Sequence, residues 1–240
     1  MTLYLYADHC ICQKKYTVVD AKVKFLEILN KILYLLYPDK CICCDKIIQP
    51  GEPCCIDCYE KIDDKGRIKI IDISEDTQVQ CIAFTEYSDA FREAILKFKF
   101  GGRRYYYKYF ALLLNYIINT FPELEHFDYI TFIPTKNSKR KYNQTELLAK
   151  GLSKNTKIPC LPLLRKIKDT LCQHDLNAYD RAFNVLGAYQ INDDYAAEVC
   201  GSKIILCDDV MTTGNTLREC SKTLLEGGAK RVVCLTLSWA

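Results

Sequence analysis

The sequence predicts an α/β fold, a mostly parallel sheet flanked by helices, with a small N-terminal module built on four cysteines. Three observations carry this. From about Val79, short apolar strand patterns alternate with helical ones across brief loops, the order that yields parallel strands covered on both faces. Six of the 15 cysteines fall between Cys41 and Cys58, and the others are scattered. The 240 residues are 49% hydrophobic and 26% charged, ordinary globular usage and enough for one domain plus an appendage.

Taken in order, residues 1–19 form an extension without a clear pattern. Residues 20–37 predict an amphipathic helix: Val23, Leu26, Leu29, Leu33 and Leu36 recur at three- and four-residue spacing, Asp20 suits the N-cap and Pro38 stops it. The cysteine cluster completes a 20–60 module. The polar, charged stretch 61–78 reads as a linker to an α/β domain over 79–240. Within that domain Val79–Tyr87 predicts a strand, and Ser88 or Asp89 caps a helix that Gly101-Gly102 ends. A Tyr/Phe/Leu-rich helix runs from about Arg103 to Thr120, and Tyr129–Ile133 is a short strand ending at Pro134. Asn143 to about Ser153 predicts a helix and Val185–Ile191 a strand. Lys203–Cys207 (strand), Thr216–Glu226 (helix) and Arg231–Leu237 (strand) close the chain.

Composition excludes several classes. With 33 Lys+Arg against 30 Asp+Glu, a net charge of +3 is too small for a globally basic nucleic-acid binder, so a basic footprint must be local. Fifteen cysteines cannot all pair within one chain. MTLYLYADHC lacks the basic start and apolar core of a secretory leader, so a cytoplasmic chain with thiols or metal ligands is expected rather than a disulfide framework. The apolar stretch Tyr109–Pro122 contains Asn115 and Asn119 and is shorter than the roughly 20 residues of a bilayer helix, so no membrane insertion is expected.

Cys41-Ile-Cys43-Cys44 and Cys55-Ile-Asp-Cys58 give two CxxC knuckles. Each presents two sulfurs from one tight turn, and Cys41, Cys44, Cys55 and Cys58 together supply the tetrahedral thiolate set of a closed, structural Zn²⁺ site. Cys43 and Cys54 stand beside them as alternative ligands. The segment has little apolar bulk, so bound metal would supply much of its folding free energy.

The second motif is Lys203-Ile-Ile-Leu-Cys-Asp208-Asp209-Val210-Met211-Thr212-Thr213-Gly214-Asn215-Thr216-Leu217. An apolar strand ends in two carboxylates, and a hydroxyl-rich turn opens a helix. Free N–H groups and the positive dipole end at a helix start cradle phosphate, and Gly214 permits close backbone approach. The carboxylates then lie where a sugar diol, or a sugar–Mg²⁺ unit, would sit. Adjacent carboxylates at a buried strand end repel unless a cation or polyol joins them. No Walker A sequence is present.

This loop resembles the ribose-5-phosphate loop of type I phosphoribosyltransferases, which bind 5-phosphoribosyl-1-diphosphate (PRPP). The resemblance implies that Asp208 and Asp209 contact the ribose and act in catalysis. It also implies that Thr212, Thr213, Gly214, Asn215 and Thr216 hold the 5-phosphate, with Val210 and Met211 completing the loop. Other landmarks narrow the match: Pro38 and the CxxC pairs; Tyr87, Arg92, Lys97-Phe98-Lys99 and Gly101-Gly102; Ile133-Pro134; Arg140, Asn143-Gln144 and Glu146; Arg165, Gln173, Arg181 and Asn184. Together these resemble the ComF (GntX-like) family of competence-associated proteins, over about residues 21–239. Lys141 stands where that family usually has Gly.

The resemblance implies a reaction in which a nucleophile displaces pyrophosphate from ribose C1, with Mg²⁺ on the diphosphate and an oxocarbenium-like transition state. Thr135 and Lys136, after the Tyr129–Ile133 strand, stand where a pyrophosphate loop would; Lys136 equally suits a solvated charged loop. A different class is also open. Lys97, Lys99, Arg103 and Arg104 interleave with Phe98, Phe100 and Tyr105–Tyr107, the composition of a single-stranded-DNA site and equally of two amphipathic helices. The partners expected are therefore PRPP or a related ribose phosphate, single-stranded DNA and other competence proteins. A zinc-bearing adaptor with a vestigial transferase fold is the third reading.

Overall fold

The computed structural model describes residue 29 and residues 32–62, 66–87, 89–135, 142–168 and 185–240, with the backbone alone at 89 and 90. Most of the 20–37 helix, the 1–19 extension, Lys136, Arg140, Gln173, Arg181 and Asn184 lie outside them; residues 32–36 are helical.

Among the described residues seven strands are formed: β1 (Arg67–Asp72), β2 (Gln78–Glu86), β3 (Tyr129–Phe132), β4 (Leu164–Lys166), β5 (Tyr189–Ile191), β6 (Lys203–Met211) and β7 (Arg231–Trp239). Five of them make one sheet in the order β1-β2-β7-β6-β3. The β2–β7, β7–β6 and β6–β3 pairs are parallel, and β1 pairs antiparallel with β2. Every residue of β7 after Arg231 is buried, as expected of a strand covered on both faces.

Period-two alternation assigns the faces. Ile205 and Cys207 of β6, Val233 and Leu235 of β7, and Ile82 and Phe84 of β2 face one core. That core also holds Phe91, Ile95 and Phe98 of α1 (Asp89–Lys99), Phe110, Leu114 and Ile117 of α2 (Tyr107–Thr120), and Leu148 and Leu152 of α3 (Gln144–Thr156). Ile204 and Leu206, Val232 and Cys234, and Cys81 and Ala83 face the other core. There they meet Leu217, Cys220 and Leu224 of α4 (Asn215–Glu226) and the small antiparallel pair β4–β5. A Cβ at Gly151 of α3 would lie 2.8 Å from the Ala111 Cβ, so glycine there lets α2 and α3 approach closely.

Three expectations are revised. The stretch read as a linker carries β1, an edge strand whose Arg67 and Lys69 lie over the Trp239 ring. The expected strand Val185–Ile191 shortens to Tyr189–Ile191. Strand β6 continues past Cys207 to Met211, pairing Asp208 with Thr236 and Val210 with Ser238, because the neighbouring β7 also runs on to Trp239. The acidic pair therefore belongs to the strand itself. Elsewhere the elements lie close to expectation, with Asn143 capping α3 by accepting from Thr145 N.

Nor does the cysteine module stand apart. Cys41, Ile42, Cys43, Ile48 and Cys54 are buried in the same core as α1 and α2. Tyr109 Oη donates to Asp39 at 2.5 Å, and Lys97 Nζ lies 3.1 Å from Asp45 Oδ2.

Candidate functional site: an acidic strand end over a helix start, and a four-thiol centre

Strand β6 delivers two carboxylates at its carboxy end, where ligand crevices of such sheets lie. Alternation sends them to opposite faces: Asp208 continues the Ile204–Leu206 row toward α4, and Asp209 the Ile205–Cys207 row toward α1. The pair thus straddles the sheet edge. Asp209 N donates to Asp208 Oδ1 at 2.8 Å. Burial, and next the neighbouring Asp209 charge, push the Asp208 carboxyl up to about 7, against the pull of the Lys99 ammonium.

Past Met211 the chain bends through Thr212 and Thr213, both exposed, to Gly214 at φ +74°, the N-cap of α4. A Cβ there would find ordinary 3.7 Å contact with the Met211 sulfur, so it is the left-handed backbone that calls for glycine. The turn thus brings the start of a 12-residue helix beside three threonines, Thr212, Thr213 and Thr216. Arg218 braces the helix start: Nε donates to Asp72 O at 2.7 Å and Nη1 to Asn215 Oδ1 at 3.3 Å. Asp208, Asp209 and the Thr212–Thr216 turn are brought together at the carboxy end of β6, carboxylate acceptors followed by hydroxyl donors.

Thr135 is exposed after β3. The end of that strand is gripped from behind, Asn143 Nδ2 donating to Ile133 O at 3.1 Å and Thr145 Oγ1 to the same oxygen at 2.8 Å. Motif residues Asn143 and Gln144 thus act on backbone; Gln144 Nε2 donates to Lys99 O at 3.3 Å.

The four basic residues of the aromatic run do not form one row. Lys97 pairs with Asp45 of the cysteine module. Lys99 turns to Asp209, 2.8 Å from Oδ1. Arg103 Nη1 donates to Tyr105 Oη at 2.7 Å, and Arg104 lies over the Tyr142 ring. The rings divide likewise. Tyr106, Tyr109 and Phe110 are core, whereas Phe100 and Tyr105 are 59% and 42% exposed.

In the cysteine module the ligand atoms of Cys41, Cys44, Cys55 and Cys58 all lie within 4.8 Å of one another, with Cys44 and Cys55 sulfurs 3.6 Å apart. Bonds of about 2.3 Å to a tetrahedral Zn²⁺ imply sulfur separations of about 3.8 Å, so the donor set and its spacing fit. Cys43 and Cys54, the alternatives, fall outside this group. Burial alone would raise Cys41, but backbone N–H donors from Cys44, Cys55 and Cys43 outweigh it and bring its thiol down to about 7. Cys44 and Cys58 are held up, in both cases chiefly by burial.

Lys99, Arg218 and the Ile133 clamp were not legible as parts of this neighbourhood. Their signal is three-dimensional, since no local spacing links residue 99 to residue 209.

A family model described as the phosphoribosyl transferase domain matches residues 178–238, which include the acidic loop and helix α4. Competence protein ComFC of Streptococcus pneumoniae is 27% identical over 212 residues, covering 87% of this chain and 92% of that protein. Competence protein F of Haemophilus influenzae is 37% identical over 95 residues; the match spans 39% of this chain and 41% of that protein's length. DNA utilization protein YhgH of Escherichia coli K12 is 32% identical over 106 residues, 44% of its length. Among solved structures, adenine phosphoribosyltransferase from Thermoanaerobacter pseudethanolicus has 15% identity and a TM-score of 0.38, covering 76% of this chain and 99% of that one. The resemblance to ComF-type competence proteins carried by the motifs is therefore borne out by a full-length relative and by a phosphoribosyl transferase domain match over the acidic loop.

Proposed function

We propose that this chain binds PRPP or a closely related ribose phosphate at the Asp208/Asp209 strand end and the Thr212–Thr216 turn, and transfers or senses the phosphoribosyl group in a cytoplasmic DNA-uptake role. The observation that carries the reading is the union of two adjacent carboxylates, Asp208 half-buried and Asp209 buried, with a threonine-lined helix start behind the left-handed Gly214. Asp208 and Asp209 would accept from the 2- and 3-hydroxyls and favour positive charge building on the ring, while the turn would hold the 5-phosphate. Thr135, with Lys136 after it, would meet the diphosphate. Mg²⁺, a cation that prefers hard oxygen donors, would enter on the diphosphate and neutralise the leaving group. The names of the relatives support the competence setting, and the four-thiol centre supports a structural zinc.

Pyrophosphate release from PRPP with Mg²⁺ and a panel of nucleobases tests transfer. Release lost in Asp209→Asn is expected for an enzyme, and saturable PRPP binding without release for a sensor. Absence of binding would defeat both. A second reading, single-stranded-DNA binding, is favoured by the exposed Phe100 and Tyr105 rings beside Arg103 and Arg104. The two are compatible. An adaptor would bind neither ligand.

A further inference from the structure

Lys99 ends α1, far from Asp209 in sequence, yet its ammonium sits 2.8 Å from Asp209 Oδ1. The side chains are 19% and 11% exposed, so water screens this pair far less than a surface one. The lysine's backbone is clamped. Tyr142 Oη donates to Phe98 O at 2.7 Å, Gln144 Nε2 donates to Lys99 O, and the Phe98 ring is core. The same 142–145 segment grips Ile133 at the end of β3. One element thus fixes both the strand leading to Thr135 and the cation facing the acidic pair. A carboxylate offers about four acceptor sites, so one ammonium at Oδ1 leaves capacity for a sugar hydroxyl.

We propose that Lys99 is a positioning residue of the sugar-phosphate site, a tethered cation that aims Asp209 at the ribose diol and offsets the repulsion between the adjacent carboxylates. The assignment rests on the ribose-phosphate reading and removes Lys99 from the nucleic-acid face. Lysine at this point acts through Asp209, so its effect on ligand must vanish when that carboxylate is gone.

Calorimetric titration of PRPP with Mg²⁺ into wild type, Lys99→Met, Lys99→Gln, Lys99→Arg, Asp209→Asn and the Lys99→Met/Asp209→Asn double variant tests this. The neutral variants should weaken PRPP by about tenfold or more, the range for a hydrogen bond to a charged group. Lys99→Arg should recover most of that loss. In the Asp209→Asn background Lys99→Met should cost less than about twofold, the mark of a coupled pair. The two neutral variants give independent readings if one is too unstable to titrate. Wild-type binding with neutral variants unchanged, or the same loss with and without Asp209, overturns the inference while leaving the ribose-phosphate reading standing. A folded wild type that binds no PRPP overturns both.

Discussion

Asp208 carries an electrostatic signature of its surroundings. Its carboxyl is half-buried near a strand end beside a second carboxylate, and desolvation pushes it up to about 7. In the unfolded chain it would titrate near 4, about the ordinary value. The folded state therefore holds this proton more tightly than the unfolded state. Its contribution is fully present below about pH 4 and is lost as pH rises toward 7. Ligand-free Asp208→Asn should thus gain stability over wild type at about pH 8 and keep little of that gain at about pH 4. Equal differences at both pH values in denaturant melts would contradict the environment described. Gly214 makes a second residue-scale prediction. With φ at +74° and room for a Cβ, Gly214→Ala should cost about 1–2 kcal/mol, from backbone strain alone, in the same melts. The acidic pair and the Thr-Thr-Gly turn were legible because their chemistry is contiguous in the chain. Lys99 was read as a nucleic-acid contact because its sequence neighbours are Lys97, Phe100, Arg103 and Arg104. Only the packing of α1 against β6 reveals its partner.

At the scale of elements, the cysteine module and helix α1 form one continuous structure. Ile42 and Ile48 share a core with Phe98 and Phe110, and Asp45 is tied to Lys97. Metal loss should therefore propagate. Cys44→Ser or chelation should remove one equivalent of zinc by elemental analysis and lower the melting temperature of the whole chain. A melt indifferent to chelation would contradict a structural metal at Cys41, Cys44, Cys55 and Cys58. Most strands and helices were legible from periodicity, since their buried faces repeat at two or about 3.6 residues. Where reading failed, the elements depend on a neighbour. β1 is an edge strand with mostly exposed residues, so Arg67-Ile68-Lys69-Ile70 reads as polar linker until β2 pairs with it. The carboxy end of β6 reads as a loop because Asp208 and Asp209 are poor strand formers, and pairing with β7 overrides that.

Across the whole molecule, the sheet separates two cores and carries Asp208 and Asp209, the proposed ribose-phosphate site, near its carboxy edge. Among the described residues no helix is long and apolar enough to cross a membrane. The exposed rings of Phe100 and Tyr105 with Arg103 and Arg104 lie just beyond Lys99 along the chain, so a strand of DNA and a ribose phosphate would be held by adjoining segments. The double variant Arg103→Ala/Arg104→Ala should weaken single-stranded DNA and reduce the slope of log affinity against log salt by about 1.4, roughly 0.7 per phosphate contact, while leaving PRPP untouched. An unchanged slope would remove these arginines from any DNA face.

The most direct test of the central claim is thermal melting of the wild type and of Asp208→Asn/Asp209→Asn with and without PRPP and Mg²⁺. At about 100 times its Kd the ligand should add roughly 2.7 kcal/mol, about 5–10 °C for a chain of this size, and the double variant should show no shift. A well-folded wild type whose melting does not move, or a double variant that shifts as much as wild type, would contradict a ribose-phosphate site at this strand end.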